Sequence, residues 1–272
     1  MIKIVCLILF LLGVLNIATY TFARVKGKGI ATLKVKRKAK PGDCMTYCLP
    51  GLRADEDVVF DFFEQMADEK RDLVPGGISY LRYEDYGFDP KTIAKQIVED
   101  VKINNYQPYI LSLSIGDQIV RFVERELPGV KVIAINPAFN ADHVKYDKLV
   151  ILYMKLALAN FFAALLGWLG QAQVIRTDGN RKLSISLQLD CINCLAHSNL
   201  SVTTSATKGI IVSYFDALLE NKEIVNDFRP HGPTDIFIVD SGHANTVVGR
   251  GLYKEALGKM FLATNFYPPK DA

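Results

Sequence analysis

Apolar residues recur along this chain with two periods that alternate. Continuous apolar runs of strand length lie at residues 43–49, 78–83, 109–113, 130–135, 209–214 and 234–239. Between several of them the spacing lengthens to that of a helix. Val58, Val59, Phe62, Phe63 and Met66 form one such stripe within residues 55–70, and Ile93, Ile97, Val98 and Val101 form another. Residues 118–126 turn Ile119, Val120, Phe122 and Val123 to one side, and residues 252–262 read as a closing helix. Pro41-Gly42, Pro50-Gly51, Pro75-Gly76-Gly77 and Asn136-Pro137 punctuate the pattern. Strand and helix in alternation predict an α/β protein with a doubly wound, mostly parallel sheet covered on both faces. Residues 28–40 alternate loosely, which predicts an edge hairpin with charges on its exposed side.

Two segments depart from this rhythm. Residues 149–174 are apolar almost all round, broken by Lys155 and Asn160. The clean run is too short for a membrane span, so the pattern predicts a helical cap inserted at about 140–207, with an apolar side lining an acyl-sized pocket. A further helix over residues 181–198 leads back to the sheet. Residues 1–23 form the other departure: Lys3 precedes an apolar run over residues 4–15, and apolar character continues to Ala23. A cleaved signal peptide and a single membrane-spanning anchor both fit. The body of the protein then occupies residues 24–272.

Charge bears on that choice. Arg24, Lys26, Lys28, Lys34, Lys36, Arg37, Lys38 and Lys40 follow the apolar run with no acid among them. Basic residues flanking a span favour retention, and they suit anionic lipid headgroups. Residues 41–272 hold 23 basic against 29 acidic groups, a net of −6, which argues against a nucleic-acid surface. Four of the five cysteines lie in the body: Cys44 and Cys48 around a strand, on the same face, and Cys191 and Cys194 in C-I-N-C. With His197 nearby they invite a zinc proposal, but the spacing is poor for it. Cys48 reads as a small buried hydrophobe, and a bond between Cys191 and Cys194 would need an oxidising compartment. No metal and no cofactor are expected.

The candidate chemistry sits at strand ends. S-L-S-I-G at residues 112–116 follows one apolar run and precedes a helix. A nucleophilic serine must stand on a tight strand-to-helix turn whose residues two before and two after are small. Ser112 and Gly116 meet that need around Ser114, with Ser112 read as steric filler. Of the four histidines, His143, His197, His231 and His243, only His243 follows a late strand, in D-S-G-H. It is the candidate base. Asp216, after residues 209–214, is the candidate acid. Asp240 is a competitor only three residues from His243, too close along the loop to approach the far ring nitrogen. Asp216 also suits a capping role for a helix starting near Ala217. The backbone N–H groups of Ile115 and of Leu52, after Pro50-Gly51, are the candidate oxyanion donors.

Serine, acid and histidine in that order, each at the end of a strand, resemble the α/β-hydrolase superfamily. L-P-G-L at residues 49–52, S-L-S-I-G, I-N-P-A-F at 135–139, Y-F-D and S-G-H before a final helix carry the resemblance, which covers residues 41–264. It implies a doubly wound sheet, a cap before the acid strand and a serine triad of Ser114, Asp216 and His243. Two positions depart from the family pattern: Ser112 replaces the usual first glycine, and Asp117 stands where a second is common. The leading expectation is a serine hydrolase of carboxylic esters or thioesters, working through an acyl-serine on an apolar acyl substrate. A non-catalytic binding protein on the same fold and an acyltransferase are the alternatives.

Overall fold

The computed structural model describes Leu11 and residues 31–51, 74–83, 88–145, 147–148, 150–151, 154, 175–176, 182–183, 185–202, 206–231, 235–242 and 250–267. The helical stripe at 55–70 and most of the apolar stretch 149–174 of the expected cap lie outside these residues, as do Leu52 and His243. In chain order the elements are β1 (Ala31–Arg37), β2 (Cys44–Leu49), β3 (Gly77–Tyr83), α1 (Pro90–Asn104), β4 (Gln107–Leu113), α2 (Asp117–Glu126) and β5 (Lys131–Ile135). There follow a short ribbon of β6 (Ile175–Arg176) and β7 (Lys182–Leu183), then α3 (Ile185–Ala196), β8 (Thr207–Ser213), α4 (Asn221–Phe228), β9 (Asp235–Val239) and α5 (Arg250–Ala263).

Seven strands form one sheet in the order β1-β3-β2-β4-β5-β8-β9. All neighbours from β3 to β9 run parallel; β1 alone is antiparallel, against β3. The expected edge hairpin is therefore a single edge strand. Its partner lies far along the chain, with Leu33 opposite Leu81.

Side-chain alternation divides the core in two. Met45, Tyr47 and Leu49 of β2, Ile110 of β4 and Val132 and Ala134 of β5 pack with α1, α2 and α4. Cys44, Cys48, Tyr109, Leu111, Leu113 and Ile133 face the other way, against Tyr253, Leu257, Met260 and Phe261 of α5. Cys44 and Cys48 thus share a face. A Cβ on Gly209 of β8 would fall 2.1 Å from the Met260 sulfur, so α5 lies hard against that strand. Burial of both faces of the central strands β2, β3, β4, β5 and β8 is what a parallel sheet requires, and it explains their nearly unbroken apolar runs.

Between β5 and β8 the chain leaves the sheet. The helix here begins at Ile185, four residues later than the apolar pattern suggests, because Lys182–Leu183 pairs with Ile175–Arg176. It buries Cys191 and Leu195 in the same core as α1 and α2. Cys191 and Cys194 are both free thiols, and burial pushes the Cys191 thiol up, so it is chemically inert. Val150, Ile151 and Met154, from the apolar stretch, are exposed. Among the described residues, no helix is long and apolar enough to cross a membrane.

The winding fixes where a ligand can sit. From β2 the chain moves outward to β3, then returns past β2 to β4 and continues in the opposite direction. The crevice at the carboxyl ends of β2 and β4 is the switch point, where open α/β sheets bind ligands.

Candidate active site

β4 delivers Ser114 to that crevice. The strand ends at Leu113, and Ser114–Gly116 form one tight turn before α2. Ser114 has φ 52°, in the left-handed region. The other described non-glycine residues with positive φ are Asn105, Asn136 and Asn265. Asparagine tolerates this conformation through local hydrogen bonding; serine does so far less readily. Ser114 is therefore held in place by what surrounds it, a form of strain that concentrates at functional sites.

The surroundings are backbone. A Cβ on Gly116 would lie 2.9 Å from both the Leu49 and Pro50 carbonyl oxygens. A Cβ on Gly51 would lie 3.2 Å from the Ser114 Cβ. The turn after β2 thus touches the serine turn, with no side chain between. The Tyr83 hydroxyl donates to the Pro50 carbonyl at 2.7 Å and steadies that turn from β3. On the far side, Ala138 N–H donates to the Ser114 carbonyl at 3.0 Å. Leu52 lies outside the described residues; Gly51, the residue before it, packs against Ser114. Ile115 is buried at the start of the turn, directly after Ser114.

The two departures from the glycine pattern meet each other. The Ser112 hydroxyl donates to Asp117 Oδ1 at 2.7 Å, and both residues are fully buried. Ser112 is thus more than the steric filler its size suggests. Asp117 Oδ2 lies 3.1 Å from Arg121 Nη2, and Arg121 Nη1 lies 3.0 Å from Glu124 Oε2. The guanidinium sits over the rings of Phe139 and Phe228, at 4.9 and 5.3 Å from their centroids. Burial pushes the Glu124 carboxyl up to about 7, and nearby Asp117 adds to the rise while Arg121 opposes it.

Asp216 follows β8. Its Oδ1 accepts N–H groups from Leu218 at 2.8 Å and Leu219 at 2.9 Å. This is a turn closed by its own side chain, rather than the helix cap expected near Ala217; the helix begins at Asn221. The loop is tied to its neighbours. Lys145 Nζ donates to the Asp216 carbonyl at 2.9 Å, and Phe215 N–H donates to the Ser241 carbonyl at 3.1 Å. The second bond joins the stem of the acid to the stem of S-G-H. His243 itself lies just beyond the described residue Gly242. Asp240, the competing acid, is exposed on the bend after β9.

Beneath Asp216, three buried side chains hold the ends of β5, β8 and α5 together. Asn136 Oδ1 accepts the Ser213 N–H at 2.8 Å and its hydroxyl at 3.0 Å. Asn136 Nδ2 donates to the Tyr253 hydroxyl at 3.0 Å, and the Tyr253 and Ser213 hydroxyls are bonded to each other. Of the other histidines, His143 is buried, with Nε2 2.8 Å from Asp227 Oδ2 and its ring edge-on to Phe139. Desolvation pushes its pKa down, against the Asp227 hydrogen bond, so it serves as a neutral packing residue. His197 is exposed at the end of α3, with Nδ1 bonded to the Asn193 carbonyl.

Solved structures share this architecture. A carboxylesterase of the thaumarchaeon Nitrososphaera gargenis is similar at a TM-score of 0.57 and 13% identity, covering 88% of this chain and 98% of its own. An esterase from Exiguobacterium antarcticum is similar at 0.58 and 14%, covering 84% and 94%. The enol-lactonase from Burkholderia xenovorans is similar at 0.60 and 9%, covering 85% and 96%. No protein-family model and no curated protein matches the chain by sequence. The chain has the α/β-hydrolase fold.

Proposed function

We propose that this protein is a serine hydrolase that cleaves a carboxylic ester or thioester. The observation that carries the reading is Ser114 at φ 52°, on a strand-to-helix turn pressed against Leu49, Pro50 and Gly51 at the switch point of the sheet. A turn of this kind lifts a hydroxyl clear of the sheet. The neighbouring folds named for carboxylesterase, esterase and lactonase are consistent with it.

In this reading the Ser114 oxygen attacks the acyl carbon while His243 takes its proton. The N–H groups of Ile115 and Leu52 receive the developing oxyanion. Asp216 fixes the imidazole tautomer and steadies the imidazolium. The alcohol or thiol departs with the proton from His243, leaving an acyl-serine. Water, deprotonated by His243, then releases the acid and restores Ser114. The apolar character of residues 149–174 suits an apolar acyl group, and residues 1–23 tether the enzyme to a membrane.

A fluorophosphonate probe tests the reading. Covalent labelling of Ser114 is expected, with none in Ser114→Ala, and so is turnover of nitrophenyl acyl esters of graded chain length. Folded protein that takes no label would instead support the binding-protein reading.

A further inference from the structure

We propose that Ser112 and Asp117 are positioning residues, whose side-chain hydrogen bond clamps the turn that presents Ser114. The proposal rests on Ser114 being the nucleophile. The clamp closes around the turn from both sides. Ser112 is a fully buried residue of β4, two before Ser114, and Asp117 is the first residue of α2, three after it. Their 2.7 Å bond therefore spans the whole strained segment. Glycine at either position, as is common in the family this chain resembles, could not make it.

The clamp continues beyond the turn. Arg121 pairs with the second oxygen of Asp117 at 3.1 Å, and its Nη2 donates to the Thr207 hydroxyl at 3.1 Å. Thr207 opens β8, the strand that ends at the Asp216 loop. A run of four side chains thus joins the turn of the nucleophile to the strand of the acid. All four are buried, so water offers no substitute partner for any of them. A buried carboxylate so close to an incipient oxyanion would be costly and repulsive by itself. Here Oδ1 accepts from the Ser112 hydroxyl and, at 3.4 Å, from Arg121, whose charge also lies 3.1 Å from Oδ2, and Asp117 occupies the first turn of a helix, where the dipole favours it. Strain at Ser114 persists only if its neighbours over-determine it. The clamp supplies that constraint with side chains, in addition to the backbone contacts of Gly116.

Ser112→Ala removes the hydroxyl with almost no change in volume. The rate constant and final extent of fluorophosphonate labelling separate the two roles Ser112 could have. Loss of fold lowers the final extent. A mispositioned nucleophile lowers the rate constant while labelling still runs to completion. We expect a rate about tenfold lower or less, at full extent, since small misplacements of reacting groups carry penalties of this order or larger. Asp117→Ala should slow labelling similarly, and the double variant should be no slower than the slower single one. Ser112→Thr, which keeps the hydroxyl, should recover most of the rate. An unchanged rate in Ser112→Ala, with wild type labelled at Ser114, would overturn the clamp alone. If wild type takes no label, the hydrolase reading fails and amide hydrogen exchange still tests the clamp. Ser112→Ala should then speed exchange in a peptide covering residues 112–118 and not elsewhere; unchanged exchange there would refute it.

Discussion

Gly116→Ala is the sharpest probe of the serine turn. The added Cβ would meet the Leu49 and Pro50 carbonyl oxygens at 2.9 Å and the Leu49 Cβ at 3.1 Å. Two of those atoms are main chain, so no rotamer change relieves the contact. The end of β2 and the turn of Ser114 must separate by about 0.5 Å to restore ordinary van der Waals contact. Overpacking of this kind costs about 1–3 kcal/mol, which for a chain this long lowers Tm by roughly 2–10 °C. The effect on chemistry should be larger. The same separation moves Gly51 away from Ser114, the proposed nucleophile, and Gly51 directly precedes Leu52, the proposed second oxyanion donor. Loss of one oxyanion donor typically costs about 100- to 1,000-fold in rate. We therefore expect ester hydrolysis to fall about 100-fold while calorimetry reports a modest drop in Tm. Gly129→Ala, where a Cβ meets nothing within 4 Å, is the control and should change neither. A Gly116→Ala protein with wild-type Tm and wild-type kcat/KM would refute the contact between the two turns and the geometry argued from it.

Three further outcomes follow from the site. Asp216→Asn should keep its fold, because an amide oxygen can still accept the Leu218 and Leu219 N–H groups, yet lose about 10,000-fold in kcat; circular dichroism and steady-state kinetics check both parts. The Glu124 carboxyl, raised to about 7 when folded from 4.5, binds a proton that the unfolded chain has already released. Stability should therefore fall by about 3 kcal/mol as pH rises from about 4.5 to about 7 and level off above, and urea titrations of Glu124→Gln should lack this slope. Tyr253→Phe removes the hydroxyl shared by Asn136 and Ser213, and should cost about 1–2 kcal/mol in denaturant melts.

The parallel sheet was legible because its central strands are buried on both faces and so read as unbroken apolar runs. Edge and short elements were harder to read. Alternation in residues 28–40 reports a half-exposed strand, but it does not say whether the partner is adjacent in sequence; here it is β3. α4 was expected to start near Ala217 but begins at Asn221; only Ile224 and Phe228, one turn apart, are buried, too brief a stripe to fix its start. In the site, Ser114 and Asp216 were singled out from chain order, and the structure places them just after β4 and β8. The Ser112–Asp117 bond was not legible, since nothing in a linear pattern says that a residue near the end of a strand meets the first residue of the next helix. A serine and an aspartate five positions apart, replacing two expected glycines together, was the available signal. Asn136 was visible only as a turn residue, and its partners Ser213 and Tyr253 lie 77 and 117 positions away.

That last separation has a consequence for how the protein comes to be. Tyr253 is made after every strand of the sheet, and its hydroxyl joins the Ser213–Asn136 pair from α5. A nascent chain whose Tyr253 has not yet left the ribosome can form the Ser213–Asn136 bond but lacks the hydroxyl that completes the cluster. Cutting the chain before residue 250 removes that hydroxyl together with the α5 side chains packed on the sheet, so the shortened protein should be less stable.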